Sequence, residues 1–333
     1  MKNRDMIDWW INQDPIDEKT LEYLNNTNKN KPVIDELYFD TLAEKYFDLM
    51  PCCNLTLKNA QLRFSDSATT FISRLFEEYV DENTLVVSSH IEHPSVNINL
   101  DLCDNVFLYQ EPDLKKNNAK AAFDEILKYK KIFVYIIGTH ARNSFSTPQD
   151  FFRQIKEFCI KNNIECKIVI DNVQEMFLLP RDYSIFDYVI GTAHAIVRRF
   201  NMGILITIGD NKIFGDKIYN WGMTYYDMLQ EILKRREKLF MFRTVMNHYY
   251  SDLINKEGFK TDDEQNCAPY FFHITDIDGK LTPDVRNNLK TCEIELDDNR
   301  IIRFRAPTFL QRPDLLIKGI KFLDSVLEEM EDE

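Results

Sequence analysis

The chain has 333 residues, 44% of them hydrophobic, enough to bury a sizeable core as one large domain or as a large and a small one. Its formal charge is −13, with no basic stripe carrying interleaved aromatics, so nucleic acid is not an expected partner. No apolar run approaches the roughly 18 residues of a membrane span, and Met1 to Asn12 mix charges with Trp9 and Trp10 where a signal peptide would be apolar, so a cytoplasmic protein is expected.

Seven cysteines without a C-x-x-C pair offer no zinc or redox motif; reduced thiols and no metal are expected. Nine glycines leave no glycine-rich phosphate loop. Any bound phosphate must therefore be held by helix N-termini and side chains.

In chain order, residues 5 to 13 have helical spacing, and Pro32 to Leu37 lead into a helical pattern ending at Met50. Ser65-Asp66-Ser67-Ala68-Thr69-Thr70 opens an amphipathic helix, Phe71 to Val80. Its hydroxyls and first-turn N–H groups make either an anion site or an ordinary N-cap. The strand Thr84 to Ser88 runs into Ser89-His90-Ile91-Glu92-His93-Pro94-Ser95-Val96, which reads as a loop. Strands at Val106 to Tyr109 and Ile132 to Gly138 bracket a helix over Asn118 to Tyr129, and Thr147-Pro148-Gln149-Asp150 reads as the start of a helix to Asn162 capped by Thr147. Three apolar runs follow: Ile168 to Asp171, Asp187 to Gly191 and Gly203 to Thr207. Because they lack polar alternation, they predict a mainly parallel sheet covered on both faces, with ligands outside the strand ends. A helical stretch from Ile213 to Glu257 then leads to strands at Pro269 to Thr275, Glu293 to Leu296 and Arg300 to Arg305, with helices at Pro283 to Thr291 and Asp314 to Glu329.

Asp171-x-x-Gln174 after one strand, with Thr192-Ala193-His194 about twenty residues on, resembles the pyridoxal-phosphate (PLP) enzymes of fold type I. The similarity is to the class V aminotransferase branch that contains cysteine desulfurases and isopenicillin-epimerase-like proteins. It implies an α/β fold with a mainly parallel, seven-stranded-type sheet flanked by helices and a small α+β C-terminal domain. The expected divisions are an N-terminal segment (1–30), a large domain (31–212), a connecting helix (213–257) and the small domain (258–333). Carried over residue by residue, the resemblance places Asp171 beside the pyridine nitrogen and Gln174 at the phenolic oxygen. Ser67, Ala68, Thr69, Thr192 and His194 would bind the phosphate, His93 would stack on the ring, and Asn143, with Arg142 a weaker candidate, would lie near the phenolic oxygen. Arg303 would clamp a substrate carboxylate with Arg305 as the alternative, and Asn25 would reach the substrate pocket. Read without the resemblance, His93 is a capped loop histidine, Arg303 an ion-pair partner and Asn25 a turn residue.

Ala195 stands where the Schiff-base lysine belongs. Thr308 stands where desulfurases of the corresponding class carry their persulfide-forming cysteine, so a typical cysteine desulfurase is not expected. The expectation is a PLP-dependent enzyme, homodimeric, acting on the Cα or Cβ of a small amino acid as a lyase, epimerase, decarboxylase or aminotransferase. With alanine at 195 its activity should be lost or strongly impaired. Three readings stay open: a substituted lysine, a lysine-less PLP protein using His194 or His93 as base, or a non-catalytic relative that binds a ligand or partner.

Overall fold

The computed structural model describes residues 36–50, 54–140, 145–192, 203–214, 246, 259–261, 271–276, 279, 281–292, 294–296, 301–305 and 313–329. Apolar β-branched and aromatic runs supply the strands of a seven-stranded sheet: β1 (Ala60–Ser65), β2 (Thr84–Ser89), β3 (Val106–Tyr109), β4 (Lys131–Ile137), β5 (Glu165–Asp171), β6 (Tyr188–Thr192) and β7 (Gly203–Ile208). Their spatial order is β1-β7-β6-β5-β4-β2-β3. Strands β3, β2, β4, β5 and β6 pair in parallel, and β7 runs antiparallel between β6 and β1. After β2 the chain moves outward to β3; after β4 it moves the other way, to β5. The ends of β2 and β4 thus flank a topological switch point, the place where open α/β sheets leave a crevice for ligands.

Two apolar layers cover the sheet. One gathers Phe71, Leu75 and Phe76 of helix α2 (Ala68–Tyr79) against Phe133, Tyr135, Val169 and Leu205. The other sets Tyr46 and Phe47 of α1 (Glu36–Leu49) and Phe151, Phe152 and Ile155 of α6 (Gln149–Lys161) against Val134, Ile168 and Ile206. Short helices α3 (Pro94–Leu100), α4 (Glu111–Lys115) and α5 (Phe123–Ile126) complete this part of the chain. A second sheet, order β10-β11-β9-β8, is antiparallel throughout and comprises β8 (Phe259–Thr261), β9 (Phe271–Asp276), β10 (Glu295–Leu296) and β11 (Ile301–Arg305). Helices α7 (Pro283–Thr291) and α8 (Pro313–Glu329) pack with it, Leu289 and Leu323 sharing a core with Ile302 and Phe304.

Several local readings change. The helix expected over Asn118 to Tyr129 is a 3₁₀ turn at Ala119–Ala122 followed by the short α5. Thr147 does not cap α6; Pro148 holds that place, and the Thr147 hydroxyl donates to the Ile137 carbonyl at 2.8 Å. Glu92 to Val96 is not loop throughout, because Pro94 fixes the first turn of α3 and His93 caps it. Strand β1 is an addition: Ala60, Leu62 and Phe64 alternate with polar residues and form no continuous apolar run, and Arg63 is nonetheless buried, bonding the Leu62 carbonyl and the Gln61 side chain. The expected helix at 5–13, most of the connecting stretch 213–257, and Asn25, Arg142, Asn143, His194 and Ala195 lie outside the described residues.

Candidate active site

Because β7 is antiparallel, its first residue lies at the same sheet edge as the last residues of the parallel strands. Gly203 pairs with Thr192 at the end of β6 on one side and with Ser65 at the end of β1 on the other. The start of α2 closes on the same point: a Cβ on Gly203 would stand 2.3 Å from the Ser67 carbonyl oxygen and 2.6 Å from the Ala68 nitrogen. Only glycine allows that approach. Ser67 is the N-cap of α2, its hydroxyl accepting from the Thr70 N–H at 3.3 Å. Ser67, Ala68 and Thr69 are half-buried or exposed, and Thr192 is buried. A helix of twelve residues thus opens its first turn at the sheet edge that holds Thr192, with the Thr70 N–H taken up by Ser67, a geometry of the kind that can receive an anion.

One strand over, Asp171 ends β5 and is only 3% exposed. The Tyr135 hydroxyl donates to its Oδ2 at 2.9 Å, and the Val173 N–H donates to Oδ1 at 3.2 Å. Burial pushes the carboxyl above its ordinary range; the Tyr135 and Val173 bonds and the charge of nearby His93 draw it back, while Glu175 pushes it further up. His93 is exposed, and its Nδ1 accepts from the Ser95 N–H at 3.2 Å and lies 2.7 Å from the Ser95 hydroxyl. Gln174 is half-buried, and its buried Oε1 has no protein partner.

Two acids absent from the sequence-based site complete the edge. Glu92, three residues past β2, accepts at Oε1 from the Ser89 hydroxyl at 2.5 Å and from the Ile137 N–H at 3.1 Å. Burial raises it to about 8, the Asp171 charge adding to the rise while the Ser89 and Ile137 bonds oppose it. Glu175, fully buried, pairs with Arg181 at 2.5 Å and also accepts from Thr139 and Ser146. Arg181 in turn donates to the Thr147 carbonyl and the Ser146 hydroxyl, so this pair ties the segment after β4 to the segment after β5. Among the described residues, five buried side-chain oxygens lack a protein partner, and three of them (Glu92 Oε2, Asn172 Oδ1, Gln174 Oε1) follow β2 and β5 at this one edge. An unmatched buried polar group costs ~1–3 kcal/mol. Their concentration makes this edge the candidate ligand site.

Arg303 belongs to the second sheet, half-buried, with Glu295 and His273 as register partners and Ile302 and Phe304 on the opposite face. The Arg305 backbone ends the same strand. Cys103, Cys159, Cys166 and Cys292 are free thiols, and no group of three or more potential metal ligands occurs among the described residues. No described helix is long and apolar enough to cross a membrane.

The strand order, the single antiparallel β7 and the buried acid ending β5 define the fold of type I PLP-dependent enzymes. Solved structures with this fold include the NifS-like protein of Rickettsia africae (14% identity, 95% of this chain and 96% of that one, TM-score 0.67). They also include a lysine-to-alanine mutant of C-DES with glycine covalently linked to its PLP cofactor (12% identity, 90% of each chain, TM-score 0.65). A third is the alanine–glyoxylate aminotransferase of a Nostoc species (12% identity, 88% of each chain, TM-score 0.62). No protein-family model matches the chain, and no curated protein matches it in sequence. At such identities the likeness establishes the fold.

Proposed function

We propose that this chain is a PLP-dependent protein of the class V aminotransferase type that takes a small amino acid as its second ligand. The observation that carries the reading is Asp171: a buried carboxyl at the end of β5, fixed by Tyr135 and Val173, at the same sheet edge as the α2 N-terminus two strands away. The residues present fit the cofactor. Gly203 opens the cradle at Ser67–Ala68, and Gln174 Oε1 offers a free polar atom in the same edge.

In this reading Asp171 holds positive charge on the ring nitrogen, His93 covers the ring, and the α2 N–H groups with Ser67, Thr69, Thr192 and His194 bind the phosphate. Gln174 and Asn143 serve the phenolic oxygen, and Arg303, or Arg305, pairs with the carboxylate of the amino acid. When bound, PLP supplies an electron sink that stabilises negative charge on the amino acid's Cα. Alanine at 195 can neither tether the cofactor nor carry a proton, so His93 or His194 would have to act as base in its place. Turnover by the chain as it stands is absent or strongly impaired. The same alanine favours a second reading, a lysine-less relative that binds cofactor or partner in the old cleft without chemistry. A homodimer of about 79 kDa (twice the 39.5 kDa chain) is part of the proposal, and light scattering checks it.

Titration with PLP, followed by its visible spectrum and by quenching of intrinsic fluorescence, tests the cofactor reading. Binding should saturate in the unmodified chain and fall by at least tenfold in Asp171→Ala, about 1.4 kcal/mol or more. Restoring the lysine with Ala195→Lys should shift the cofactor's visible band. If Asp171→Ala binds PLP as the parent does, Asp171 has been misassigned; if Ala195→Lys leaves the band unmoved, the binding-only reading stands.

A further inference from the structure

Glu92 is a buried carboxyl of the strand-end crevice that neither a cofactor contact nor, unlike Glu175 with Arg181, an ion pair explains. It is 6% exposed and lies at the switch point itself, three residues beyond β2 and bonded to Ile137 at the end of β4. Ile137 is also the register partner of Asp171, so the two carboxyls sit on either side of one strand end. Oε1 of Glu92 takes both available donors, Ser89 and Ile137, and Oε2 has none. A buried carboxylate oxygen with no donor and no cation is far costlier than the same oxygen carrying a proton. The groups facing Glu92 are Asp171 on β5 and Tyr135 on β4; His93, the next residue, and Glu175, already neutralised by Arg181, act on Asp171. Tyr135 is held well above its ordinary value by burial and by both acids, so it stays a neutral donor.

We propose that Glu92 is a positioning residue that carries a proton on Oε2 in the ligand-free protein and yields it when a ring with a positively charged nitrogen docks beside Asp171. The proposal rests on the cofactor reading above. On docking, a cationic ring adds one positive charge to the pocket, one proton passes from Glu92 Oε2 to solvent, and Glu92 remains as a carboxylate. With Glu92 neutral and Glu175 paired with Arg181, Asp171 meets the ring without a second uncompensated anion, and its orientation by Tyr135 is not contested. Two acids in one crevice whose surroundings separate their protonation is a recurring way of assigning distinct roles to like groups.

Calorimetric titration of PLP into the full chain at pH 7, in two buffers of different ionisation enthalpy, counts the protons released. The unmodified chain should release a fraction of one proton per PLP bound, and Glu92→Gln should bind PLP with that release lost. Equal release in both proteins, or none in the parent despite binding, overturns the proposal. If PLP does not bind at all, it is the cofactor reading that fails, and infrared spectroscopy of the ligand-free protein still decides the state of Glu92. A protonated-carboxyl stretch at pH 7 that disappears in Glu92→Gln supports the proton on Oε2, and its absence from the parent refutes it. Should Glu92→Gln fold poorly, Ser89→Ala leaves Glu92 in place, and removing the donor to Oε1 should move the midpoint of that band to higher pH; an unmoved midpoint counts against the assignment.

Discussion

Replacing Glu92 with glutamine should make the stability of the ligand-free protein less dependent on pH. The folded chain holds this carboxyl at about 8 against an ordinary 4.5, so the folded state binds its proton more tightly than the unfolded state does. The stability due to that proton is complete below pH 4.5 and is lost as pH rises to 8, across the whole interval between the two values. At about 1.36 kcal/mol per tenfold, the loss amounts to roughly 3–5 kcal/mol. Glutamine keeps an acceptor for Ser89 and Ile137 and never ionises, so the variant lacks this loss. Urea denaturation followed by circular dichroism at pH 5, 7 and 8.5 measures the difference between variant and parent. Glu92→Gln should gain on the parent steadily from pH 5 to 8.5. A difference that is constant across that range would show that Glu92 ionises in the fold as it does in the open chain, and the burial argument would collapse.

Other substitutions probe the neighbours of this edge. Tyr135→Phe removes the donor to Asp171 Oδ2 and should cost ~1–3 kcal/mol while pushing Asp171 further up; a variant as stable as the parent at pH 7 would contradict the buried bond. Arg181→Met leaves Glu175 buried and uncompensated, an expected loss of about 3–5 kcal/mol, and adding Glu175→Met should restore much of it. A double variant no better than the single one would mean the charge is not what matters. Gly203→Ala places a methyl 2.3 Å from the Ser67 carbonyl, so the start of α2 must shift. We expect PLP affinity to fall by about tenfold or more with a smaller change in melting temperature, and unchanged affinity would separate this cradle from the phosphate.

The parallel strands were legible because their apolar runs are continuous and end in polar residues. Ile168 to Asp171 of β5 and all of β6 are buried on both faces, and Asp171 and Thr192 stand where those runs stop. The same rule concealed β1, where Arg63 lies buried in an edge strand and breaks the apolar signal. The helix expected at Asn118–Tyr129 failed for a related reason: Phe123 and Ile126 have helical spacing, but the 3₁₀ turn at Ala119–Ala122 already buries its two outer alanines fully, and the chain needs only one short turn more. α3 was missed because seven residues are too few for a periodic pattern, although the His93-Pro94 start is a helix-opening signal that local chemistry offered.

The acids of the site divide along the same line. Asp171 could be singled out because it ends an apolar run, and a strand end has a known direction. Glu92 and Glu175 sit in polar company, Ser89-His90-Ile91-Glu92-His93 and Asn172-Val173-Gln174-Glu175, where a glutamate reads as surface. What buries Glu92 is not its neighbours in sequence but the N–H of Ile137, forty-five residues away, and what buries Glu175 is Arg181 with Thr139 and Ser146. Sheet order brings these together, and sheet order is a tertiary fact. Alanine at 195 therefore says little by itself about the pocket. The electrostatic arrangement around Asp171 depends on Tyr135, Glu92 and His93 and not on residue 195, so in the proposed reading binding of the cofactor ring and covalent attachment to it are physically separable. That separation is the reason Asp171→Ala and Ala195→Lys should change different observables, affinity in the first and the visible band in the second.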